Sequence, residues 1–104
     1  MNVLSWLTDR FTNRGKALSL YKRGMEKSKS HEHEAAIADY TTAIGMHDVP
    51  SDVKAMALYN RALVYAAAGD PVKATSDLNT VLGMPDALPN IKSEARRKLA
   101  RMQR

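Results

Sequence analysis

Apolar positions recur at helical spacing in six stretches of the chain, separated by polar segments that carry Gly, Pro, Asp and Ser. The clearest stretch holds Leu58, Ala62 and Tyr65 on one face, with Ala57, Ala66 and Ala67 keeping a neighbouring face small. It runs into "AGDP", where Gly69 suits the position just past a helix end, Asp70 an N-cap and Pro71 a first helical residue. A second helix is predicted through Ala74, Leu78, Val81 and Leu82, stopping near Gly83 and Pro85. Upstream the same order appears: Leu20, Gly24 and Lys27, a turn around "KSHEH", then Ala36, Ile37, Tyr40, Ala43 and Ile44 up to Gly45. The linkers "HDVPSD" and "PDALPN" each hold a proline and end in an Asp or Asn suited to capping the next helix.

The similarity between the two halves is literal. Residues 45–57, "GMHDVPSDVKAMA", return 38 positions later as "GMPDALPNIKSEA". At that offset Ala36, Asp39, Thr42, Gly45 and Met46 map onto Ala74, Asp77, Thr80, Gly83 and Met84, and Lys16, Ala17, Leu20, Tyr21 and Arg23 onto Lys54, Ala55, Leu58, Tyr59 and Arg61. Lys92 continues the series from Lys16 and Lys54. Two units are therefore expected, at about 16–52 and 54–90, each an antiparallel helix pair. Gly24 and Ala62 fall where a large side chain would hold paired helices apart, and Ala36 and Ala74 do the same on the partner helices. One pair cannot bury its apolar stripe alone, so neighbouring pairs must stack. An α-helical hairpin array of any family would satisfy this pattern.

Both ends add a helix to the expectation. Residues 90–103 carry one apolar stripe, Ile91, Ala95, Leu99 and Met102, with polar residues elsewhere, as a capping helix should. Residues 1–14 read as an amphipathic helix with Val3, Leu4, Leu7 and Phe11 in a stripe and Trp6 beside it. That stripe has three readings: packing on the first pair, an exposed patch for self-association or a partner, or a membrane-surface helix. The expected fold is all-α, with antiparallel helix-hairpin repeats over residues 15–104 and about six helices in total.

The spacing Leu20, Gly24, Lys27, Ala36-Ile37, Tyr40, Ala43 and its counterpart Leu58, Ala62, Tyr65, Gly69-Asp70, Ala74, Leu78, Val81 resembles the tetratricopeptide repeat family over residues 16 to about 100. The period of 38, against about 34 for that family, implies longer loops between pairs. The resemblance implies an α-solenoid, a right-handed superhelical stack, whose first helices line a concave groove for extended peptides. On this sequence that groove would hold Tyr21, Lys22, Met25 and Lys29, then Tyr59, Asn60 and Leu63, then Arg97, Lys98 and Arg101. Tyr and Met offer adaptable apolar contact, Asn60 can hold a peptide backbone, and the basic residues suit an acidic segment or a free carboxylate. Solvated helix faces are the plainer reading of the same residues.

Charge sharpens the choice of partner. The formal excess of +5 lies wholly in residues 92–104, "KSEARRKLARMQR", because residues 1–91 hold ten basic and ten acidic side chains. Residues 30–91 are acidic. The basic end allows nucleic-acid association as an alternative, but no aromatic lies among its arginines to stack a base, and a plain basic capping helix is the preferred reading. Candidate chemistry changes little. There is no cysteine, hence no thiolate metal site and no disulfide, which fits a reducing, cytoplasmic setting. "HEHE" at residues 31–34 reads as a solvated turn with Glu32 and Glu34 near a helix N-terminus, not a metal site. The six methionines read as core filler. No nucleophile, acid–base or phosphate-loop constellation stands out. No run approaches the roughly 20 apolar residues of a membrane span. The expectation is a non-enzymatic adaptor without cofactor, binding a protein or peptide in its groove, with a self-associating scaffold as a further alternative.

Overall fold

A computed structural model of the chain describes the backbone of residues 3–104 and the side chains of residues 12–104. It contains five helices: α1 Val3–Lys29, α2 His33–Gly45, α3 Ser51–Ala67, α4 Pro71–Leu82 and α5 Pro89–Met102. No strand occurs among the described residues, and no helix among them is long and apolar enough to cross a membrane. The count is five and not six because the expected lead helix and the first helix of the first pair are one continuous helix. Gly15 stands inside it, exposed, with nothing within 4 Å of where a Cβ would be. One exposed glycine lowers helix propensity by only about 1 kcal/mol, and the good helix formers on both sides outweigh it. The apolar side chains of residues 3–11, and with them the three readings of that stripe, lie outside the described residues.

Each pair closes in the same way. After α1, His31 takes a left-handed conformation (φ 60°), and the Glu32 N–H donates to the Lys27 carbonyl at 2.9 Å. Thirty-eight residues on, Gly69 does this (φ 86°), and the Asp70 N–H donates to the Tyr65 carbonyl at 2.8 Å. Asp70 caps α4 as its spacing predicts, accepting from the Lys73 N–H at 3.1 Å, with Pro71 in the first turn. The other two expected caps are displaced. Helix α3 begins after Pro50 and α5 after Leu88, so Asp52 and Asn90 fall in first turns and take a backbone N–H from the next residue, Val53 and Ile91, while Asp52 also stands 3.5 Å from the Arg14 guanidinium. Pro89, with its φ already set for helix, starts α5 before Asn90 can act as the cap.

Much of the apolar pattern becomes the core of the paired helices, although Leu20, Ile37, Ile44, Tyr65 and Leu82 are half-buried and Ala67 is exposed. Ala17 and Ala55, Ala36 and Ala74, Tyr40 and Leu78, and Ala43 and Val81 are all essentially solvent-free, two by two at the 38-residue offset. Gly24 is buried against the Tyr40 ring, and Ala62 is buried with Leu78 in the neighbouring cluster. Helix α5 docks by the predicted stripe: Ala95 is fully buried, and Ile91, Leu99 and Met102 pack on the α3–α4 cluster.

A polar pair also repeats. The Arg23 guanidinium donates to both oxygens of Asp39 at 2.9 and 2.7 Å, and that of Arg61 to both oxygens of Asp77 at 2.8 and 2.7 Å. Each pair joins the first helix of a hairpin to the second, and each carboxylate is buried. The hydrogen bond from Arg23 holds the Asp39 carboxyl below its ordinary value. Arg61 does more than Arg23. It donates to the Thr41 hydroxyl on α2 at 3.0 Å and lies 5.6 Å over the Tyr65 ring, so it ties the second pair to the first.

Burial of the Tyr40 phenol has a measurable consequence. Its pKa is pushed from 10.0 up to about 12, chiefly by desolvation. The unfolded chain loses this proton near pH 10, while the folded chain keeps it. Tyr40 therefore contributes stability that is intact below pH 10 and disappears as pH rises toward 12. Urea titrations across this range should show a loss of about 2–3 kcal/mol, removed by Tyr40→Phe. The same loss in Tyr40→Phe would assign it elsewhere.

Candidate functional site

Four of the predicted groove residues, Tyr21, Met25, Lys29 and Asn60, come together between α1 and α3. Tyr21, half-buried on α1, accepts a hydrogen bond through its hydroxyl from the Asn60 amide of α3 at 3.1 Å. Its ring stands 6.0 Å from that of Tyr40. Burial raises the Tyr21 pKa, and the Asn60 bond partly offsets this. The second Asn60 amide hydrogen goes to the Met56 carbonyl at 2.9 Å. Both donors of Asn60 are thus engaged within the chain, leaving its side-chain oxygen free to accept. A bidentate hold on a peptide backbone requires one of these bonds to open.

Met25, Lys29 and Asn60 meet around a shallow cavity of about 200 Å³, which Ser28 and Tyr40 complete. Lys29 is exposed at its edge, and its ammonium is 3.6 Å from Glu26, one helical turn back. Further along, the half-buried phenol of Tyr59 is raised by burial and by the Glu94 carboxylate and lowered by Arg101. Two α5 residues therefore stand within electrostatic reach of an α3 tyrosine. Arg101 is exposed there, and Lys98 is half-buried one turn earlier. Leu63 is half-buried on α3 one turn beyond Tyr59, and Lys22 is exposed on α1 with no polar side-chain partner among the described residues. Arg97 is exposed and hydrogen-bonds to Glu94 on its own helix.

Three participants escaped the sequence reading: Ser28, Tyr40 and Glu94. Tyr40 was assigned to the core, and it is only 1% exposed, yet its ring edge floors the cavity. Ser28 carries a helical signal, three residues from Met25, but a serine near a helix end has many reasons to be there. Glu94 stands out as the one acid among six cations, which could have marked it.

A larger open cleft, of about 710 Å³, lies on the outer side of the first pair, between Thr12, Gly15, Lys16, Ser19 and Leu20 of α1 and Thr42 and Met46 at the end of α2. The repeat explains it. The counterparts of Gly15 and Ser19 are Val53 and Ala57, which are fully buried. The first pair carries glycine and serine at these positions, and both are exposed. None of the expected groove residues lines this cleft. In the interhelical turn, the rings of His31 and His33 stand edge to face at 6.3 Å, and among the described residues no three His, Asp or Glu side chains converge as metal ligands would.

No family model matches the sequence, and neither a curated protein nor a solved structure is significantly similar to it.

Proposed function

We propose that the chain is a non-enzymatic adaptor of tetratricopeptide type, a short right-handed α-solenoid that binds an extended acidic or C-terminal peptide along the α1–α3–α5 face. The observation that carries this reading is the Tyr21–Asn60 hydrogen bond between α1 and α3, together with the packing of Tyr59 of α3 and of Leu99 and Met102 of α5 on one apolar cluster. On this reading three helices far apart in sequence form one surface of aromatic, thioether and cationic side chains. Tyr21, Met25, Tyr59 and Leu63 supply apolar contact along its length. Lys29 stands at one end, and Lys98 and Arg101 at the other, so an acidic strand would meet a cation at each end. The site assignment, the absence of catalysis and the cytoplasmic setting all belong to this reading. It rests on the shared face and on the repeat, which places like residues on α1 and α3.

Lys29→Glu combined with Arg101→Glu tests the groove without touching Asn60, whose loss would also break two internal hydrogen bonds. Selection from a displayed library of random peptides with free C-termini is expected to return acidic sequences that bind wild type and lose at least tenfold in affinity with the double variant, at unchanged helicity. Failure to enrich any sequence, or enriched peptides that bind both proteins equally, overturns the proposal.

A further inference from the structure

The groove leaves most of the α5 charge unused. Among the described residues, Lys92, Arg96, Lys98, Arg101 and Arg104 have no carboxylate within salt-bridge distance; only Arg97 has one, Glu94. Helix α5 is the last helix, docked on one side through Ile91, Ala95, Leu99 and Met102. The opposite, outward row is Ser93, Arg97 and Ala100, with Arg104 just past the helix end. Lys92 and Arg96 flank this row on one side, and Lys98 and Arg101 on the other. The row spans about 16 Å from Ser93 to Arg104 at 1.5 Å per residue. Ser93 and Ala100 are short, Arg97 between them is hydrogen-bonded to Glu94, and cations stand on both flanks.

We infer that this outward face of α5 binds the phosphate backbone of B-form duplex DNA, lying in the major groove without reading sequence. A convex helix with cations on both flanks matches a channel about 12 Å wide that is walled by phosphates on both sides. The arginines present planar guanidiniums suited to phosphate oxygens. Other polyanions fit less well. Single strands are held by stacking on aromatics, and α5 has none. The major groove of A-form RNA is too deep and narrow to admit a helix. An anionic membrane would attract the same charge, but the apolar stripe of α5 is already spent on docking, which leaves nothing to insert. An extended acidic peptide needs a groove, and this face is a ridge. Binding is expected to be sequence-independent, since Ser93 and Ala100 are too short to reach a base edge, Arg97 between them is hydrogen-bonded to Glu94, and the flanking cations meet phosphates.

The face shares Arg97, Lys98 and Arg101 with the groove reading, so the test is placed on Arg96 and Arg104, which belong to no groove residue set. Fluorescence anisotropy on a mixed-sequence duplex of about 20 base pairs, roughly two turns, tests it. Wild type is expected to bind with micromolar affinity, and log K should fall against log salt with a slope of about −3 to −5. Arg96→Glu with Arg104→Glu should weaken binding at least tenfold and make the slope shallower by about 2, while helicity and peptide capture stay unchanged. Lys16→Glu with Lys22→Glu, an equal change of charge on α1, should have a smaller effect. Equal effects of the two charge reversals overturn the assignment to α5. So does equal or tighter binding to the single strand, to an RNA duplex of the same sequence, or to phosphatidylserine vesicles.

Discussion

Arg61→Ala is expected to lower the unfolding free energy by about 2–4 kcal/mol, far more than the same change at its repeat counterpart Arg23. Both arginines chelate a buried aspartate, so each variant leaves a carboxylate in the core without its cation. The environments differ. The Arg61 side chain is 17% exposed and that of Arg23 61% exposed. When Arg23 is removed, water can reach Asp39 through the gap. When Arg61 is removed, Asp77 stays enclosed, Thr41 loses its donor, and Tyr65 keeps only Lys73 of the two cations over its ring. Breaking a buried pair from one side costs about 3–5 kcal/mol, whereas exposed pairs contribute about 0–1. Arg61 lies nearer the first limit, slightly reduced for its residual exposure. Adding Asp77→Ala should recover part of the loss, because the orphaned charge goes with it. Urea unfolding of the two single variants and the double variant decides the matter. An Arg23→Ala loss equal to that of Arg61→Ala would show that burial does not govern these pairs.

Glycine-to-alanine changes at two positions of α1 should have opposite signs. At Gly24 an added Cβ would sit 2.7 Å from Cε1, 2.9 Å from Cδ1 and 3.0 Å from Cζ of Tyr40. That ring is 1% exposed, so it can yield only by shifting against its packed neighbours or toward the shallow cavity it lines. Overpacking of this kind costs about 1–3 kcal/mol, set against a gain of about 1 kcal/mol in helix propensity. Gly24→Ala is therefore expected to lose up to about 2 kcal/mol, and Gly24→Leu about 3, a large part of the 5–15 kcal/mol that holds a typical domain. At Gly15 the Cβ meets nothing within 4 Å, so only the propensity gain remains and Gly15→Ala should stabilise by up to about 1 kcal/mol. Thermal melts monitored by far-ultraviolet circular dichroism report both. A rise in Tm for Gly24→Ala would mean that the α1–α2 contact is looser than its geometry states.

The paired helices were legible because their signals are local. Stripes at helical spacing need only neighbours on one helix, and the Gly69-Asp70-Pro71 turn states its conformation within three residues. Repetition strengthened each signal, since the spacing that places Gly24 against Tyr40 also places Ala62 near Leu78. The candidate face was legible in part. The helix that each groove residue belongs to follows from the repeat, but the partner that each side chain takes does not. Asn60 was read as a free bidentate group, yet its hydrogen-bond partner Tyr21 lies 39 residues away in sequence. The duplicated Arg and Asp were visible as echoes, and nothing in a 16-residue separation announces that they chelate across a hairpin.

The amino-acid sequence by itself determined the all-helical class, the positions of four of the five helices, the small residues between them, the docking stripe of α5 and the concentration of positive charge at its end. These depend on periodicity, turn chemistry and composition, which act over a few residues. Tertiary structure alone decided that α1 runs unbroken through Gly15, that Arg61 and not Arg23 is enclosed, that Asn60 spends its donors on Tyr21 and Met56, and that Ser28 and Tyr40 line the cavity beside Asn60. Those outcomes turn on which side chains two antiparallel helices bring within about 3 Å of each other and on how much water remains around them. Such distances are set by the packing of the whole chain.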